Sequence, residues 1–327
     1  MMAGRVAVDA FFEGASRLAR LHPLARPQAH RVEVIRDVPY QSTGLRDHLL
    51  DVWRPMQHSA RHPHPGPTGG PTGPMPIVLY VHGGGFRILS KDTHWIMALH
   101  FARRGYLVFS INYRLAPTFP FPAAMEDCAA AFRWVAHQAH RYGGDLSRLI
   151  VAGESAGANL ATSLTVASCF EPQSELSQRV FDAGVVPIAT LPACGILQVS
   201  DVARFGRRRP LPSWLTDRLV EVQTSYLHAE PHESMRFLAD PLLALESDAR
   251  TARPLPPFFA AVGTKDPLLD DTRRLGVALT RRGVRCDTRY YPGEVHAFHA
   301  FVWRKYAQQC WRDTFDFLLD VVPDPPH

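Results

Sequence analysis

Leu149-Ile150-Val151-Ala152-Gly153-Glu154-Ser155-Ala156-Gly157-Ala158-Asn159-Leu160 is the stretch that decides the fold. An apolar run enters a Gly-Glu-Ser-Ala-Gly turn, and beyond it Ala158, Leu160, Ala161, Leu164 and Ala167 recur at helical spacing. The stretch reads as a buried strand, a tight turn and the start of a helix. Gly-x-Ser-x-Gly in that setting is the pattern of a nucleophile elbow, which holds its serine in a strained backbone conformation. The glycines have a steric reason: with Ser155 at the apex, a Cβ two residues to either side would strike neighbouring backbone. Such a turn lifts the hydroxyl above the sheet and aims the free N–H groups of the following helix at the same spot. The plainer alternative is a glycine-rich turn with an idle serine, so the other motifs must decide.

Working outward, apolar runs predict strands at residues 77–81, 107–111, 196–199 and 258–262, and mixed stretches read as strands at 32–40, 49–53 and 286–291. Helical periodicity predicts helices at 93–104, 123–142, 214–228, 268–282 and 306–321. Repeated strand–helix units give an α/β class: a mostly parallel sheet wrapped by helices on both faces. Ligands of such sheets collect beyond the carboxyl ends of the strands, and three further motifs fall there.

His82-Gly83-Gly84-Gly85 follows the 77–81 strand and offers backbone N–H groups unobstructed by side chains. Acyl transfer passes through a tetrahedral intermediate with a negative oxygen, which fixed N–H donors stabilise. Gly84 and Gly85, with Ala156 from the elbow, are the expected donors of this oxyanion hole. Asp266, in Gly263-Thr264-Lys265-Asp266-Pro267-Leu268, also ends a strand. An Asp-Pro pair equally opens a helix, and Asp270 and Asp271 compete, although first-turn carboxylates ordinarily answer the helix dipole. Chain order and position favour Asp266.

A serine hydroxyl needs a base to become a nucleophile, and imidazole has a suitable pKa. His296 supplies one directly after the Gly293 turn; His299-Ala300-Phe301 repeats the His296-Ala297-Phe298 pattern but falls nearer the last helix. Ser155, Asp266 and His296 are therefore the predicted catalytic residues.

Bulk properties exclude other classes. The 327 residues are 46% hydrophobic, enough for a large core, and the net charge of +5 is scattered in arginine pairs rather than interleaved with aromatics. No nucleic-acid platform is expected, nor stable membrane insertion, since no apolar run approaches the length of a span. The five cysteines are far apart and mostly in apolar segments, which predicts reduced, packed thiols and a cytoplasmic protein. Val8, Phe11, Phe12, Ala15, Leu18 and Ala19 mark an amphipathic N-terminal helix. Residues 55–76, dense in Pro, Gly and His, predict a surface insertion; without cysteine or carboxylate partners, His58, His62 and His64 are not expected to hold a metal. Residues 201–250 break the alternation and are too long for an ordinary connection, so they predict an inserted cap.

Several motifs together resemble the bacterial hormone-sensitive-lipase-like (family IV) esterases. They are His82-Gly83-Gly84-Gly85-Phe86, Tyr113-Arg114-Leu115-Ala116-Pro117, Phe121-Pro122-Ala123-Ala124 running to Asp127, the Gly153–Gly157 elbow, Asp266-Pro267-Leu268 and the Gly293–His296 turn. The resemblance implies an α/β-hydrolase fold with an eight-stranded sheet whose second strand is antiparallel. It implies hydrolysis of short- to medium-chain carboxylic esters through an acyl-enzyme, with a small-molecule acyl ester as partner and no cofactor or metal. It also implies a cap from the N-terminal segment (1–45) and the insertion (201–250), around a core formed by 46–200 and 251–327. Four features depart from the family: Asn112 where it usually has Asp, Thr118 for Glu, Ala297 for Gly, and a loosely matching stretch at 170–255. A similar arylformamidase would keep the machinery and cleave an amide or formamide. Related plant receptors share the fold but lack the histidine present here as His296. A homodimer would draw on the last strand and the final helix.

Overall fold

The apolar runs pair into one eight-stranded sheet in a computed structural model of the chain. The structure describes residues 22–56, 73–208 and 210–323, with Gly14, Ser16 and Arg20. Most of the predicted N-terminal helix and of the 55–76 insertion, including His58, His62 and His64, lies outside them. The strands are β1 (Val32–Pro39), β2 (Leu49–Pro55), β3 (Met75–Val81), β4 (Leu107–Ile111), β5 (Gly144–Glu154), β6 (Ala189–Ala193), β7 (Phe258–Gly263) and β8 (Cys286–Tyr291). Their order is β1-β2-β4-β3-β5-β6-β7-β8. The second strand runs antiparallel to both neighbours, and the others from β4 to β8 pair in parallel.

The helices are α1 (Trp95–Ala102), α2 (Ala123–Gln138), α3 (Ala156–Cys169), α4 (Glu175–Phe181), α5 (Arg204–Arg208), α6 (Ser213–Tyr226), α7 (Glu233–Ala239), α8 (Pro241–Glu246), α9 (Leu269–Arg281) and α10 (Lys305–Val321). Continuous apolar strands are explained by burial on both faces. Ile77, Leu79, Leu149 and Val151 pack with Met125 and Phe132 of α2 and Leu160 and Leu164 of α3. The alternate residues Val78, Tyr80, Ile150 and Ala152 pack with Phe101 of α1 and Phe315 and Leu318 of α10. This is the two-residue side-chain period of a strand, and each large aliphatic so buried contributes about 1.5–3 kcal/mol.

Helix α3 sits in the middle of the molecule with all of its residues buried. Its hydroxyls are satisfied locally: Thr162 and Ser163 donate to the carbonyls four residues back, at 2.7 and 3.0 Å.

Most predicted elements form within a few residues of their expected bounds. The exception is the strand expected at 196–199, because β6 lies earlier, at Ala189–Ala193. The Ile196-Leu197-Gln198-Val199 run is apolar because it is a buried connection. Asp271 accepts hydrogen bonds from the N–H groups of Leu197 and Gln198, at 2.8 and 3.2 Å, and Asp240 accepts from Val199 and Ser200. Between β6 and β7 the chain then forms α5 to α8. All five cysteines are unbridged, four of them buried. No helix among the described residues is long and apolar enough to cross a membrane.

Candidate active site

The register brings the strand ends level: Val81 pairs with Gly153 and Ile111, and Gly263 pairs with Tyr291. The turns that follow β3, β5, β7 and β8 therefore open at one end of the strands, and every predicted site residue sits in one of them or, for Ala156, at the first position of α3.

Ser155 has φ 54° and ψ −116°, a strained conformation for a side-chain-bearing residue. The turn is over-determined from both sides: the Ser155 N–H donates to the Ala193 carbonyl at 2.9 Å, and its own carbonyl accepts from Ile196 at 3.3 Å. A Cβ on Gly153 would stand 2.3 Å from the Gly157 oxygen, and one on Gly157 would stand 2.1 Å from the Val81 oxygen. Neither position tolerates alanine without moving backbone. This is the collision expected from the motif.

His296 Nε2 lies 3.0 Å from Ser155 Oγ, and its Nδ1 lies 2.9 Å from Asp266 Oδ2. The other oxygen of Asp266 accepts the Leu268 N–H at 2.8 Å. The two readings weighed for Asp266 are thus both present: one oxygen fixes the start of the following turn while the other faces the imidazole. The Asp266 and His296 loops are tied together by a Lys265 N–H bond to the Glu294 carbonyl at 2.9 Å. Asp266 is buried, whereas the His296 side chain is 36% exposed. Burial alone would push the imidazole down, but the Asp266 carboxylate outweighs it and, with the Cys194 contact, holds it well above the usual histidine range.

His299, the competing histidine, turns away to Glu154, with Nε2 3.0 Å from its Oε2. Asp271 is not the exposed first-turn carboxylate its position promised. It is fully buried, where it holds the chain after β6 and pairs with Arg204 at 2.6 Å.

Gly84 and Gly85 adopt φ 116° and 60°, left-handed backbone that suits glycine. Among the described residues, no protein acceptor takes the N–H of Gly84, Gly85 or Ala156. His82 is stacked on Tyr113 at 4.2 Å, and burial pushes its pKa down to about 3, so it is a neutral prop for the loop. Helix α6 roofs the loop residue by residue. Val222 meets the Cβ position of Gly85 at 2.9 Å, Tyr226 stacks on Phe86 at 3.7 Å, and Glu221 pairs with Arg87 at 2.6 Å.

Sequence reasoning missed Arg87, His94, Glu154 and Cys194 as neighbours of the site. Cys194 follows β6 with φ 41°; with the strand expected at 196–199 it fell ahead of a strand, so nothing in the sequence marked it. Among the described residues, one set of side chains able to hold a metal gathers: Cys194, Asp266 and His296, with one ligand atom each, all within 4.8 Å. Two of these three are already hydrogen-bonded to each other.

Comparison with known proteins finds relatives over most of the chain. Residues 78–300 match the family described as alpha/beta hydrolase fold. Esterase LipI of Mycobacterium tuberculosis is 30% identical over 309 residues, covering 82% of this chain and 86% of that one. Carboxylesterase NlhH of the same organism is 30% identical over 230 residues, covering 69% and 67%. Among solved structures, esterase LipW from Mycobacterium marinum superposes with a TM-score of 0.75 at 25% identity, covering 98% of this chain and 91% of that one. A hyperthermophilic esterase from Pyrobaculum calidifontis gives 0.71 at 25% identity, covering 97% and 94%.

Proposed function

The chain belongs to the α/β-hydrolase family, in its hormone-sensitive-lipase-like branch, and from that premise we propose that it is a serine carboxylesterase working through Ser155, His296 and Asp266. The observation that carries the reading is the hydrogen-bonded chain Ser155–His296–Asp266, at 3.0 and 2.9 Å, together with three backbone N–H groups that have no protein acceptor among the described residues.

In this mechanism Ser155 Oγ attacks the ester carbonyl carbon while His296 Nε2 takes the hydroxyl proton. Asp266 keeps Nδ1 protonated and stabilises the imidazolium that forms. The carbonyl oxygen gains the charge, and the N–H groups of Gly84, Gly85 and Ala156 receive it; one such donor is worth about 3–4 kcal/mol of barrier. Collapse breaks the bond to the alcohol oxygen, which leaves with the proton from His296. Water, deprotonated by the same imidazole, then attacks the acyl-enzyme, releasing the carboxylic acid and restoring Ser155. Short- to medium-chain acyl esters are the expected substrates; the close roof of α6 over Gly85 and Phe86 supports an acyl pocket of limited depth. Residues 201–250 would then serve as part of the cap.

A panel of p-nitrophenyl esters from acetate to palmitate is expected to show turnover that peaks among the shorter acyl groups. Ser155→Ala is expected to lower it by at least 10⁴-fold with unchanged circular dichroism. Ester turnover that survives this substitution would refute the assignment.

A further inference from the structure

Three of the loops that build the site converge on a carboxylate that the mechanism above does not use. Glu154, the residue before the serine, is buried. On one side the oxyanion loop rests on it: a Cβ at Gly83 would stand 3.1 Å from both Cγ and Oε1 of Glu154. His94, just ahead of α1, joins the same contact, with Nε2 3.0 Å from Glu154 Oε1 and 3.3 Å from the Gly83 nitrogen. On the other side His299 Nε2 lies 3.0 Å from Glu154 Oε2, an ion-pair distance without hydrogen-bond geometry. His299 lies three residues beyond His296, in the short 3-10 turn Phe298–Ala300. Burial pushes the Glu154 carboxyl up, but His94 and His299 outweigh it and hold it well below the usual carboxylate range. The side chain is therefore an anion in a dry setting, where its attraction to the two imidazoles is only weakly screened.

We infer that Glu154 is a positioning residue that sets the two halves of the oxyanion hole against each other and against the loop of the catalytic histidine. The inference rests on the esterase reading. Gly84 and Gly85 lie far from Ala156 in the sequence, yet all three N–H groups must stand within about 2.7–3.1 Å of one oxygen to act together. Glu154 is where these segments meet. Its backbone continues directly into Ser155 and Ala156, one carboxylate oxygen meets His94, which receives the Gly83 N–H, and the other lies at ion-pair distance from His299. The same contacts account for the repeated His-Ala-Phe motif, whose second histidine reaches the hub while the first reaches the serine.

A buried ion cluster that only supported the fold would change stability and leave the folded enzyme's rate alone. A positioning role predicts loss confined to the transition state. Glu154→Gln keeps the shape and removes the charge. Turnover of p-nitrophenyl butyrate is expected to fall roughly 10²-fold with KM within about threefold. The inhibition constant of an aryl trifluoromethyl ketone, whose adduct with Ser155 carries the oxyanion, is expected to rise by the same factor as kcat falls. His299→Gln and His94→Gln, which keep the carboxylate, are expected to lose about tenfold each in both quantities. They serve as the test if Glu154→Gln does not fold. A kcat unchanged in these variants, or a kcat that falls while ketone affinity is kept, overturns the inference. Ester turnover that survives Ser155→Ala would instead defeat the esterase reading itself, so the two failures are told apart.

Discussion

The turns at the strand ends and the connection from 194 to 246 hold irregular backbone in opposite ways. At the strand ends the constraint is steric and local. Gly153 and Gly157 leave no room for a methyl group, and Gly84 would drive one to 2.0 Å from the Ile88 carbonyl. In the connection after β6 the constraint is electrostatic and distant. Four successive N–H groups, from Leu197 to Ser200, are received by Asp271 of α9 and by Asp240 between α7 and α8, both far along the chain. Local steric constraint fixes reacting atoms closely, because nothing nearby can relax; a remote carboxylate fixes a segment whose exact path matters less. Asp266 and Asp271 stand on either side of this divide although they begin the same helix.

If that division is right, removing the two charges should have different consequences. Asp266→Asn should leave the fold intact and lower kcat/KM by roughly 10³–10⁴-fold, because the amide no longer fixes the imidazole tautomer or stabilises imidazolium. The pH profile carries a second sign. His296 must be neutral to act as base, so kcat/KM rises as pH passes its pKa, which Asp266 holds above the usual range. Without that anion, burial is opposed only by the Cys194 contact and the acid limb should move to lower pH. A limb that stays in place would mean another group governs it.

Asp271→Ala should do the reverse. It strips the acceptor from the Leu197 and Gln198 N–H groups and leaves Arg204 without its buried partner. Urea denaturation should show a loss of about 3 kcal/mol, while kcat of the folded fraction stays within about threefold. A stability loss below about 1 kcal/mol would place the anchoring of this segment elsewhere.

The same division explains what could be read from the chain. The strained turn at Ser155 and the glycine loop after β3 were legible because each is spelled out by contiguous residues, Gly153-Glu154-Ser155-Ala156-Gly157 and His82-Gly83-Gly84-Gly85. The strands were legible because apolar residues on both faces leave runs without a polar period. The β6 strand was displaced in the reading because Ala189-Thr190-Leu191-Pro192-Ala193 is small and broken by proline, while the more apolar 196–199 run is a buried connection. Helices α4, α7 and α8 span seven, seven and six residues, too short for a helical period to show. Asp271 looked like a dipole partner, since the Arg204 that buries it is remote in sequence. Glu154 gave no signal as a hub, because both of its histidines come from other loops.

The smallest expected effect tests whether local strain alone is at work in the strand-end turns. Ala297 stands where the family usually has glycine, and it adopts φ 55° and ψ 25°. That left-handed conformation costs an L-residue about 1–2 kcal/mol, and glycine would recover it while losing about 0.5–1 kcal/mol to its freer unfolded chain. Ala297→Gly should therefore stabilise the protein by a net of about 0.5–1 kcal/mol, a rise in Tm of about 1 °C for a chain of this size, with kcat unchanged within twofold. Calorimetry can resolve the sign. A lower Tm would mean that the Ala297 methyl contributes packing that outweighs its backbone strain, and that the histidine loop is held by side-chain contacts as the 194–246 connection is.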